Sequence, residues 1–95
     1  MDRVCKDLLD NLENRSNEEN FDIFCSLDKQ HKIEVLDQVN DYYGFMFVSN
    51  LQSKVIMVEL LCDVKSDNLK IKCVNDIKFN DYDRVDILCS LESDN

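Results

Sequence analysis

The chain has 95 residues, 44% of them hydrophobic and 8% aromatic, with 20 acidic side chains against 11 basic ones and a net charge of −9. That is room for a single domain, residues 1–95, with a modest core, and too apolar a composition for a disordered tail. The longest apolar stretch, Val55 to Val64, is broken by Glu59 and Asp63 and cannot span a bilayer, and the excess of acid argues against direct nucleic-acid or anionic-membrane binding.

In chain order, Asp2 to Arg15 places Val4, Cys5, Leu8, Leu9 and Leu12 at helical spacing, with charged residues on the other side. Ser16-Asn17 ends that piece, and Glu18-Glu19 suits a new helix start whose short apolar face is Phe21, Phe24, Cys25 and Leu27. A further start at Ser26 or Asp28 leads through Ile33, Leu36, Val39 and Tyr43. Asp41-Tyr42-Tyr43-Gly44 closes it, with Gly44 as the C-cap. The N-terminal half, residues 1–44, is therefore expected to be helical, in three pieces.

From Phe45 the pattern alternates. With residues 65–68 as a hairpin loop, Ile56, Val58, Leu60, Cys62, Val64, Leu69, Ile71, Cys73, Ile77 and Phe79 share one face, and Asp63 stands opposite Lys70. A second loop at 50–53 brings in Phe45 and Phe47. The expectation is a three-stranded antiparallel meander over about 45–49, 54–64 and 69–79. Asn80 and Asp81 then cap a short C-terminal helix carrying Tyr82, Val85, Leu88 and Cys89. The fold class expected is α+β, with an all-α bundle as the alternative if residues 51–64 are helix.

Functional chemistry is scarce. His31, the single histidine, follows Cys25 by six residues, but it lies in a polar helix start with nothing resembling an oxyanion hole, and it reads as a solvated residue. Five cysteines without a close C-x-x-C pair read as small core hydrophobes, and no metal or cofactor is expected. Gly44 alone cannot build a phosphate-binding loop. No leader precedes the first helix, so an intracellular, cytoplasmic and reducing setting is expected, the nucleus not excluded, and the Asn, Asp, Lys and Ile richness suits an AT-rich genome such as that of many viruses or protists.

The expected function is a non-enzymatic protein-interaction or regulatory module. It would bind a partner, or itself as a homodimer, through an apolar sheet face formed by Met46, Val48, Val55, Met57, Leu61 and Val74. An acidic helical surface of Asp7, Asp10, Glu13, Glu18 and Glu19 would steer basic partners. Two alternatives follow from the same residues. One is an acidic mimic of nucleic acid that blocks a nucleic-acid-binding protein. The other, if residues 51–64 are helix, is an all-helical adaptor of the death-fold kind, at which only the run Leu8-Leu9-Asp10-Asn11-Leu12 and the helix end Tyr42-Tyr43-Gly44 hint.

Overall fold

The computed structural model describes residues 2–92. The chain folds as α1 (Arg3–Asp10), a 3-10 turn (Leu12–Asn14), α2 (Asn17–Ser26), α3 (Lys29–Gln38), α4 (Asp41–Ser49), α5 (Lys54–Asp63), α6 (Asp67–Asp76) and α7 (Asp81–Cys89), and no strand occurs among the described residues.

One local device recurs along the chain. Each α-helix begins at an Asp, Ser or Asn whose side chain accepts a hydrogen bond from the backbone of the first turn: Asp2, Ser16, Asp28, Asn40, Ser53, Ser66 and Asn80. Successive caps stand 12 to 14 residues apart. Each satisfies an orphan N–H and is worth about 1 kcal/mol. At Ser16 the bond is reciprocal, because the Glu19 carboxylate accepts from the Ser16 N–H at 3.1 Å.

The helix ends are as regular. Leu27, Val39, Val64 and Ile77 follow α2, α3, α5 and α6 in extended conformation, and each donates its N–H back to the helix it leaves. Leu27 and Val64 are buried, and Val39 and Ile77 pack against the core. An extended apolar residue followed within a few positions by a polar cap reverses the chain at negative φ. The chain therefore needs neither proline nor a glycine at its turns.

Tertiary contacts join helices two apart in sequence. α1 packs on α3, α3 on α5 and α5 on α7 in one layer, while α4 packs on α6 in the other. α2 joins that second layer through Asn17, which donates to the Tyr42 hydroxyl at 2.9 Å, and through Phe24, which stacks on Phe47 at 4.5 Å between centroids. These two contacts lie near opposite ends of the helices, so α2 and α4 run in the same direction. α5 and α7 do likewise: Lys54 donates to the Lys78 carbonyl at one end, and Cys62 meets Ser90 at the other. Between the layers lie Leu8, Phe24, Val35, Leu36, Phe47, Val48, Leu60, Leu61, Val64 and Ile87, all essentially solvent-free.

The α+β expectation is overturned by this architecture. Residues 45–49 belong to α4, 54–63 form α5, and 67–76 form α6. Ser66, placed in a hairpin loop, is the α6 N-cap, and Asn50-Leu51-Gln52 links α4 to α5 with Ser53 as cap. Asp63 pairs with Lys29 at 3.1 Å, and Lys70 bonds the Ser90 carbonyl at 2.7 Å, so the expected cross-strand pair does not form. Alternation and helical spacing overlap in this segment. Met57, Leu60, Leu61 and Val64 satisfy the helical steps and are buried, whereas Ile56 and Ile71, needed on the sheet's apolar face, are 44% and 42% exposed. Gly44 lies inside α4 rather than at a C-cap, against Leu69 of α6.

Candidate interaction surface

The structure disperses the residues expected to form one apolar face. Val48, Met57, Leu61 and Val74 are buried in the core, and Met46 is half-buried against it. A helix turns these side chains inward at positions an extended strand would turn outward, so they form no binding patch. Val55 alone of that set is strongly exposed, at 68%. The acidic residues all remain on the surface, but several are engaged. Asp7 binds Arg15 at 2.6 Å, Asp10 binds Lys6 at 3.0 Å, and Glu19 completes the capping box. Hydrogen bonds from the Ser16 backbone and then its hydroxyl hold the Glu19 carboxyl below the usual carboxylate range. Glu13 and Glu18 are exposed as well.

A different exposed apolar surface exists on α5 and α7. Val55 and Ile56 open α5, and Tyr82, Val85 and Leu88 follow one another at three-residue steps along α7. Tyr82 is 85% exposed and Val85 56%. Because Lys54 reaches the Lys78 carbonyl, and its ammonium stands 6.0 Å from the centroid of the Phe79 ring, the start of α5 adjoins the segment that enters α7. The Val55–Ile56 pair and Tyr82 thus lie at the same end of the layer. Asp81, Asp83 and Asp86 are on α7, whose one basic residue, Arg84, turns away to the Val74 carbonyl at 3.1 Å, while Lys54 and Lys78 stand where the start of α5 adjoins α7.

Two internal anchors hold α7 where it presents this stripe. Ile87 is fully buried, and Lys70 of α6, itself fully buried, donates from Nζ to the carbonyl of Ser90 at the α7 C-terminus. A cation at the negative end of a helix is favourably placed. The backbone N–H of Glu92 donates to Asp67 Oδ1 at 2.9 Å and fastens the same end to α6. The sequence identified Tyr82, Val85 and Leu88 as apolar residues of the C-terminal helix. Their exposure had no sequence signal, because it depends on which α7 face meets α5 and α6.

The described residues contain one group of potential metal ligands, Asp2, Cys5 and His31, where the N-termini of α1 and α3 adjoin. His31 thus meets Cys5, not the Cys25 nearer in sequence. Cys25 and Cys89 are exposed, and Cys73 is buried with its thiol pKa pushed up to about 12, chiefly by desolvation. No helix among the described residues is long and apolar enough to cross a membrane. Comparison with known proteins finds no matching family model, no matching curated protein and no matching solved structure.

Proposed function

We propose that this chain is a non-enzymatic, all-helical interaction adaptor whose α5–α7 face receives a basic amphipathic helix from a partner protein. The observation that carries the reading is the stripe Tyr82, Val85 and Leu88, left exposed on α7 beside Val55 and Ile56 and flanked by Asp81, Asp83 and Asp86. Within the layer, α7 packs on α5 along one side, as α5 does on α3. A partner helix laid against the stripe repeats that packing. Its apolar side would cover the stripe, and its basic side would answer the aspartates.

The all-helical adaptor reading is favoured over nucleic-acid mimicry because four carboxylates, Asp7, Asp10, Asp63 and Asp76, are engaged by Arg15, Lys6, Lys29 and Lys72, which interrupts the acidic surface with basic charge. The test uses a fluorescent synthetic helix of leucine and lysine heptads, with a leucine–glutamate helix as control. The basic peptide is expected to bind, and Val85→Asp or Tyr82→Ala is expected to weaken it at least about tenfold, since burying one such side chain contributes roughly 1.5–3 kcal/mol. Both variants should keep the wild-type circular dichroism. Binding indifferent to both substitutions but falling steeply between about 50 and 200 mM salt would favour the mimic instead. Concentration-dependent dimers abolished by Val85→Asp would show that the face serves self-association.

A further inference from the structure

The N-cap repeat has a chemical consequence at the first and third helices. Asp2 and Asp28 cap α1 and α3, and three residues after each cap stand Cys5 and His31. With the two helices side by side, ligand atoms of Asp2, Cys5 and His31 come within 4.8 Å of one another. The three side chains span the range from exposed to buried, in the order Asp2, His31, Cys5, so the cluster has a floor and an open mouth. The Cys5 thiol makes only a long contact to the His31 carbonyl oxygen, 3.8 Å.

Two features beyond the triad point to a cation. Asp28 Oδ1 lies 2.7 Å from His31 Nδ1, the arrangement by which an outer carboxylate orients an imidazole that ligates a metal through Nε2. One helical turn beyond His31 on α3, Glu34 has its Oε2 sealed from solvent and without a hydrogen-bond partner. A buried carboxylate oxygen left without a donor is costly unless a positive charge is supplied. A divalent ion stabilises thiolate and carboxylates together.

We infer that Cys5, His31 and Asp2 form a binding site for one zinc-class divalent ion, with the fourth position left to water at the exposed mouth, clamping the start of α1 to the start of α3. A thiolate and an imidazole in one site select zinc over magnesium or calcium. Tetrahedral zinc bonds of roughly 2.0–2.3 Å put neighbouring ligand atoms about 3.5 Å apart, so the cluster closes by small side-chain rotations of exposed Asp2 and half-buried His31. Binding replaces the Cys5 S–H bond by an S–Zn bond and releases that proton to solvent; nothing is oxidised or reduced.

The experiment titrates the reduced full-length chain with Co²⁺, whose thiolate charge-transfer and tetrahedral d–d bands report both ligand type and geometry. One Co²⁺ per chain is expected, displaced by Zn²⁺, with a rise in Tm when Zn²⁺ is added. Removing the two exposed thiols in the double variant Cys25→Ser/Cys89→Ser should leave spectrum and affinity unchanged. Cys5→Ala should abolish the charge-transfer band, and His31→Ala and Asp2→Asn should each weaken binding at least tenfold. Asn still serves as an N-cap, so Asp2→Asn keeps α1 intact. Should Cys5→Ala fail to fold, the two surface variants decide alone. Absence of stoichiometric Co²⁺ binding, a thiolate band that survives Cys5→Ala, or wild-type affinity in both His31→Ala and Asp2→Asn would overturn the site.

Discussion

Gly44 offers a direct test of how closely the second layer is packed. Inside α4, replacing glycine by alanine lowers the entropy cost of helix formation and adds about 0.8–1 kcal/mol of stability. A Cβ at this position, however, would lie 3.1 Å and 3.2 Å from the two δ-methyls of Leu69, which is itself buried in the core. Inserting a methyl group into such a contact costs about 1–3 kcal/mol, so Gly44→Ala is expected to destabilise the protein by about 1 kcal/mol net. Leu69→Ala alone should cost about 2–5 kcal/mol, but it removes the clash. In that background Gly44→Ala should become stabilising by about 1 kcal/mol, a coupling of about 2 kcal/mol between the two sites. Urea unfolding followed by helical circular dichroism on all four proteins measures the cycle. If Gly44→Ala destabilised the wild type and the Leu69→Ala variant equally, the close approach of α4 to α6 would be refuted. A glycine held at positive φ would behave in that way.

Further outcomes follow from other parts of the fold. Ser53→Ala and Ser66→Ala should each cost about 1 kcal/mol in urea unfolding, with effects that add, because each cap serves a different helix. Lys70→Ala should cost about 2–4 kcal/mol by removing a fully buried side chain, while Lys70→Met, which keeps the stem and ends the need to bury an ammonium, should cost about 1 kcal/mol or less; amide hydrogen exchange at Ser90 should quicken in both. Thiol labelling should mark Cys25 and Cys89 in the native protein and reach Cys5 and Cys73 only on unfolding. The Cys73 thiol titrates near 9 when unfolded and near 12 when folded, so its contribution is complete below pH 9. It is lost progressively between pH 9 and 12, by up to about 1.4 kcal/mol per pH unit, as the unfolded state alone gives up the proton. Glu19 and Asp28 act in the opposite sense. Hydrogen bonds from Ser16 and His31 lower their folded pKa values, so their contribution is present above the ordinary carboxylate pKa and fades as acid protonates them. Acid titration of the Ser16 and His31 amide signals, whose N–H groups donate to the Glu19 and Asp28 carboxylates, checks this by NMR.

Where helices begin in the first and last parts of the chain is legible in the residues alone. The apolar spacing from Val4 to Leu12, the start at Asp28 and the cap at Asn80 are local signals, and α1, α3 and α7 occur there. The same local chemistry misled in the middle. Ser, Asn and Asp serve as hairpin-turn residues and as N-caps alike, and Ser53 and Ser66 differ from turn residues only in the conformation of the ten residues that follow. The even spacing of caps from Asp2 to Asn80 was present in the sequence and is the signal that could have settled the ambiguity.

Which side of each helix is covered is settled only by packing. A segment such as 54–63 carries apolar residues on most of its circumference, so no period in it says that Met57, Leu60 and Leu61 face inward while Val55 remains in water. That choice is made by α3 and α7, which flank α5, and by α6 beneath it. The meeting of Cys5 with His31 has the same origin. Nothing local relates two residues so far apart in the chain. They adjoin because each stands three positions past an aspartate cap, on helices that pack side by side with those caps at the same end.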